Sequence, residues 1–194
     1  QQPVRGRSFG FGEKDRRVID PPPIIQLFYD SDNTLIKSSE SVLFIVHCDL
    51  YSIDKTTNKN VVYIPSTMVP TLRNEHEGIN IISLKEPTKV RNLIGSLTSN
   101  AYHLFNEHNE MGIYFIFHDL TVRTEGTFVL KFMFMDLASG EPFTMTTNVQ
   151  SEIFSEPFTI YSAKKFPGLL ESTPLSRAFA KQGVKISIRN DSRG

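Results

Sequence analysis

Between 127 and 136 hydrophobic and polar positions alternate. Phe128, Leu130, Phe132 and Phe134 fall on one parity, and Val129, Lys131, Met133 and Met135 on the other. Successive side chains of a strand point to opposite faces, so this period predicts a long core strand. Ahead of it, 113–117 is an aromatic and β-branched run that suits a second core strand better than a helix. The stretch 118–126 between them reads as a polar crossing ending in Glu125-Gly126-Thr127.

The rest of the chain repeats that grammar. A Gly- and Arg-rich stretch, 1–17, reads as an irregular basic arm or loop. Pro21-Pro22-Pro23 then sets an extended backbone leading into a first strand over 24–29, at an edge where proline is tolerated. Ser31-Asp32-Asn33 predicts a turn. A strand over 42–51 puts Leu43, Ile45 and His47 on one face and Phe44, Val46 and Cys48 on the other. A short strand follows at 61–64, a loop at 65–78, a strand at 79–84 and further strand content in 88–104. After a turn at 138–142, a closing strand over 149–162 is interrupted at Pro157 by a bulge or a register change. The tail holds one helix, N-capped by Thr173 with Pro174 at its first position and Gly183 just past its end. Leu175, Ala178 and Phe179 share a face of it, and 184–189 alternates like one more strand. The predicted fold is all-β, an immunoglobulin-like antiparallel β-sandwich with short helical appendages. It forms one domain over 1–194: an arm (1–17), the sandwich (18–163) and a basic tail carrying the short helix and strand (164–194).

Composition narrows the class. The hydrophobic share is 39% with 15 Phe, enough for a core, and no apolar run approaches the roughly 20 residues of a membrane helix. Residues 1–17 show no apolar segment of a secretory signal. A single cysteine, Cys48, excludes an internal disulfide and favours an intracellular setting. Net charge is zero, but it is segregated. Residues 1–17 hold five basic and two acidic groups, 164–194 seven and two, and the middle nine and seventeen. Basic ends flanking an acidic body suggest an anionic partner; the plain alternative is two solvated termini.

Catalytic patterns are missing. His47 and Cys48 point to opposite faces, so they form no dyad. His103 and His108 have no metal-ligand spacing, His76 lies in a loop, and His118-Asp119 reads as corner hydrogen bonding. No nucleophile elbow, zinc-protease, phosphate-loop or dinucleotide motif occurs. No enzyme activity, cofactor, metal site or small-molecule substrate is expected. The informative cluster is Arg5, Arg7, Lys14, Arg16 and Arg17, with glycines that let backbone approach closely and with Phe9 and Phe11 interleaved. Arginine forks suit phosphates and guanine edges. Glu13 and Asp15 offer local pairing as the alternative. A second basic group, Lys164 and Lys165 with Lys181 and Lys185, would join the first on one edge if the last strand returns beside the first. Met133 and Met135 offer an apolar second face for a dimer contact, or a seat for the tail helix.

Four separated blocks, GFGEKDRRVIDPPPIIQL, GSLTSNAYHL, GIYFIFHDLTVRTEGTFVLKF and FSEPFTIYSAKKFPGLLESTPLSRAFAKQGVKISIR, resemble the velvet domain of fungal developmental regulators. The resemblance covers nearly the whole chain. It implies a fold like the DNA-binding half of Rel homology domains. It also implies a nuclear regulator, able to shuttle with the cytoplasm, that controls sporulation, secondary metabolism or morphology. Such a protein binds double-stranded DNA as a homodimer or with another velvet-domain protein. The family's basic residues ahead of D-P-P-P correspond to Lys14, Arg16 and Arg17, with Arg5 and Arg7 upstream; Lys164 and Lys165 complete the candidate site. The alternative reading is an adaptor that reaches DNA only through its partner.

Overall fold

The first strand depends on a missing side chain. In β1 (Arg5–Arg7) the middle residue, Gly6, faces inward, where a Cβ would meet Ile160 Cδ1 at 2.7 Å. The computed structural model describes residues 1–12, 16–28, 43–64, 87–139 and 146–189, and the fold is given for these.

After the buried prolines 21–23, β2 (Ile24–Leu27) begins. In β3 (Phe44–Ser52) the even positions through Leu50 are buried and the odd ones half-buried, as the alternation predicts. β4 (Val61–Tyr63) pairs with β5 (Lys89–Arg91) as a separate two-stranded ribbon. Four short strands follow: β6 (Leu93–Ile94), β7 (Thr98–Asn100), β8 (Tyr102–Phe105) and β9 (Met111–Ile116). β10 (Thr121–Val122) then leads into the long β11 (Gly126–Asp136). β12 (Ser151–Phe154) and β13 (Phe158–Tyr161) close the sheet before α1 (Pro174–Lys181).

These strands form an all-β sandwich. The large sheet has the order β1-β13-β11-β3-β7, with β12 also on β11; the small sheet is β2-β9-β8, and β10 pairs with β6. Among the described residues the ladders are antiparallel except β1 with β13, which is parallel. Between the sheets, Cys48 and Leu50 of β3, Leu130 and Phe132 of β11 and Phe158 and Ile160 of β13 meet Phe115 and Phe117. The opposite parity of β9, Tyr114 and Ile116, packs with Ile24, Leu104 and Phe179 of the helix. β9 is therefore covered on both faces, which explains its nearly continuous hydrophobicity. Burying a side chain such as Phe179 contributes about 1.5–3 kcal/mol over leaving it exposed.

The helix has the capping its sequence predicts. Thr173 Oγ1 accepts from the Ser176 amide at 3.1 Å, and Gly183 takes φ 92°. The interruption near Pro157 is a one-residue slip: Lys131 pairs with Phe154, but Phe128 pairs with Phe158. Ser155 fills it, its amide donating to Leu130 O at 2.8 Å while its hydroxyl accepts from Leu130 N at 2.9 Å.

Several expectations change. The arm contains a strand, because a glycine-centred triplet can lie flat on β13 although it is too short to show a period. The crossing at 118–126 is not polar throughout, since Leu120, Thr121 and Val122 are buried and the last two form β10. The closing stretch 184–189 is not a strand. Val184 and Ile186 pack on the helix-side cluster, Ile186 N donates to Val184 O at 2.8 Å, and Arg189 N donates to Ser172 Oγ at 2.8 Å. Its alternation reports one half-buried side and no ladder. Met133 and Met135 are half-buried on the outer face of the large sheet, whereas the helix covers the small one. The turn at Ser31-Asp32-Asn33, the loop at 65–78 and the strand at 79–84 lie outside the described residues.

Candidate nucleic-acid interface

β1 puts the side chains of Arg5 and Arg7 on one face, both half-buried, because Gly6 between them takes the core side. Residues two apart on a strand lie about 6.6 Å apart. The backbone then continues along its neighbours as an ordered loop: Ser8 N donates to Tyr161 O at 2.8 Å, and Gly10 N to Arg123 O at 3.0 Å. Gly10 has φ 67°, a conformation glycine adopts without steric cost.

Arg123 organises this loop. Its guanidinium carbon lies 4.6 Å from the Phe9 ring centroid and 5.7 Å from that of Phe11. Its Nη1 donates to Gly10 O at 2.8 Å and its Nε to Arg91 O at 2.9 Å. The loop is thus held by cation–π contact and by one hydrogen bond from a planar group whose second hydrogen bond ties it to the end of β5. Phe9 is only 9% exposed, so it anchors the loop and offers no stacking platform for a base.

Arg16 and Arg17 are exposed, and Arg16 also lies over Phe9, its guanidinium carbon 5.5 Å from the centroid. Directly behind them the backbone is fixed. Ile19 is buried and its amide donates to Leu120 O at 2.8 Å. Asp20 exchanges two backbone bonds with Arg5, at 2.7 and 2.9 Å. The Asp20 carboxylate, 1% exposed, accepts from Arg189 Nη2 and from the Leu170 amide. Phe117 N donates to Pro23 O at 3.0 Å, seating the proline run on the end of β9.

The parallel β1–β13 ladder carries Lys164 and Lys165 to the same end as the loop at 8–12. Arg7 pairs with Tyr161, and the exposed lysines follow in a turn closed by Lys165 N to Ser162 O at 3.1 Å. Arg5, Arg7, Arg16, Arg17, Lys164 and Lys165 are therefore gathered along one sheet edge and its end. Lys181 is not among them; it lines a groove with Phe105 and Asn106 beside the small sheet. Lys14, with Glu13 and Asp15, lies outside the described residues. Arg123 escaped the sequence reading, because nothing local in Thr-Val-Arg-Thr points to a loop more than a hundred positions earlier.

The fold and its gathered cations define a β-sandwich with a basic edge. The Velvet factor family profile matches residues 1–86 and 82–192, and the chain belongs to that family. It is 30% identical to Velvet complex subunit RYP3 of Ajellomyces capsulatus, covering 98% of this chain and 77% of that protein. It is 32% identical to Velvet complex subunit 2 of Gibberella moniliformis, over 98% of this chain and 60% of that protein. With the Sexual development regulator VELC of Pyricularia oryzae the identity is 35%, over 97% of this chain and 39% of that protein.

Proposed function

We propose that this chain is a sequence-specific DNA-binding regulator of fungal development, sporulation and secondary metabolism, working in the nucleus as a homodimer or with another velvet protein. One observation carries the reading. Two exposed arginines, Arg16 and Arg17, stand on a backbone clamped at Ile19 and Asp20, beside Arg5, Arg7, Lys164 and Lys165. Free arms hold cations anywhere; a clamped one presents them in a set pattern, which phosphate and base-edge recognition needs. The names of the relatives support the setting: two are subunits of a velvet complex and one is a regulator of sexual development. The complex names also support the adaptor reading, in which the partner makes the DNA contact.

A titration of labelled duplexes at several salt concentrations separates the two. Wild type binds with a steep salt dependence, and Arg16→Ala with Arg17→Ala weakens binding while the fold is kept. If one arginine reads a guanine edge, its loss costs about 1–3 kcal/mol and relaxes one base position. If both touch phosphate, affinity falls for all sequences and the salt slope drops by about 0.9 per contact. Salt-dependent binding that appears only when a second velvet protein is added establishes the adaptor.

A further inference from the structure

The β4–β5 ribbon has two unlike faces. Val62 pairs with Val90 on the half-buried side, while Val61 pairs with Arg91 and Tyr63 with Lys89 on the side open to solvent. Val61 and Tyr63 are 51% and 55% exposed, and Lys89 Nζ sits 5.6 Å from the Tyr63 ring centroid. The open face of the ribbon thus sets an apolar strand, Val61 and Tyr63, beside a basic one, Lys89 and Arg91.

The ribbon is also continuous with the basic edge. The Arg123 guanidinium that grips Gly10 O grips Arg91 O with its other end, so the loop of the arm and the end of β5 stand one guanidinium apart. The main chain repeats this junction, Arg123 N donating to Asn92 O at 2.9 Å, and the Asn92 side chain extends it, Nδ2 donating to Lys59 O at 3.0 Å. Lys89 and Arg91 are two residues apart on a strand, about 6.6 Å, close to the spacing of successive phosphates along one DNA strand. Arg5 and Arg7 on β1 have the same spacing.

Building on the DNA-binding reading above, we propose that the β4–β5 ribbon is a second DNA contact, in which Lys89 and Arg91 grip consecutive phosphates beyond the stretch held by the arm. The arm and the ribbon, joined through Arg123, then form one footprint longer than the arm alone could cover. Val61 and Tyr63 lie against the sugars between the two grips. A two-stranded ribbon is narrow enough to follow a groove, and phosphate contacts from it set register while base reading stays with the arm.

The experiment compares wild type, Lys89→Gln with Arg91→Gln, and Arg16→Ala with Arg17→Ala, each checked for an unchanged melting temperature. Affinity for labelled duplex and hydroxyl-radical protection are measured across a salt series. The ribbon variant is expected to bind several-fold more weakly, to lose about 0.9 of salt slope per missing phosphate contact, and to shorten the protected stretch at one end only. Lys89→Arg with Arg91→Lys keeps the charges and should restore both length and slope. An unchanged footprint and slope in the ribbon variant, with the arm variant still impaired, overturns the ribbon contact and leaves the DNA reading intact. Loss of association with a second velvet protein at unchanged DNA affinity assigns the face to protein contact and likewise overturns it. Wild type without salt-dependent duplex binding removes both.

Discussion

Cys48 shows how a single side chain is set by its surroundings. Its parity on β3 points it into the core, away from His47, and it is fully buried. Burial pushes the thiol well above its usual value of 9.0, with Asp49 adding to the rise. The sign of the effect on stability follows. The folded chain keeps the proton at a pH where the unfolded chain loses it, so stability is full below about pH 9 and falls as pH rises through the shifted value. The Tyr114 phenol, raised from 10.0 mainly by burial and further by Glu107 and Glu110, extends the loss above pH 10. Urea midpoints should stay level near neutrality and decline above pH 9. Cys48→Ala should remove the first part of that decline, and the native thiol should resist labelling until the chain unfolds. A native thiol that labels at the rate of a free one would overturn this. Such residues are legible in sequence, since parity alone places them. Arg123 is not, because its role comes from contacts that no local pattern encodes.

Two serines act as parts of the sheet ladders. Ser155 hydroxyl accepts from Leu130 N across the slip in the closing strand, and Ser99 hydroxyl on β7 accepts from Ile116 N on β9 at 2.9 Å. The second bond joins the two sheets directly. Ser155→Ala or Ser99→Ala leaves a buried amide without its acceptor, and each should cost about 1–3 kcal/mol. Chemical denaturation measures this; a shift of the urea midpoint within error would mean that water replaces the hydroxyl. At this scale, legibility depended on how local the determining chemistry was. The helix was readable because Thr173, Pro174 and Gly183 carry its caps, and β11 because eleven residues are enough to show a period. β1 was not, at three residues with glycine in the middle. The alternation at 184–189 misled because half-burial against the helix cluster imitates a strand.

Across the whole molecule, the arm is held by distant residues. Asp20 joins β1 through its backbone and the tail through its carboxylate, while Arg189 Nε donates to Leu170 O at 3.1 Å. Asp20→Ala takes the acceptor from the Leu170 amide and from the Arg189 guanidinium, and should cost about 1.5–3 kcal/mol. Arg189→Ala should speed amide exchange at Arg5 and Asp20, more than a hundred residues away in sequence, as well as along 170–189. Exchange that quickens only in the tail would show that the two ends are independent. None of this coupling was readable in advance: an Asp before three prolines and an Arg near the other end look alike in any sequence, and only the closed sandwich brings them together.

The Asp20–Arg189 pair also bears on how the protein is made. Asp20 leaves the ribosome 169 positions ahead of its partner. β1 likewise waits for β13, its neighbour in the parallel ladder. A nascent chain therefore carries its arginines long before they have a geometry, and the clamp on them closes among the last contacts to form. A product interrupted before Arg189 would hold the arm's cations without their arrangement, so translation itself delays the basic edge until Arg189 has been made.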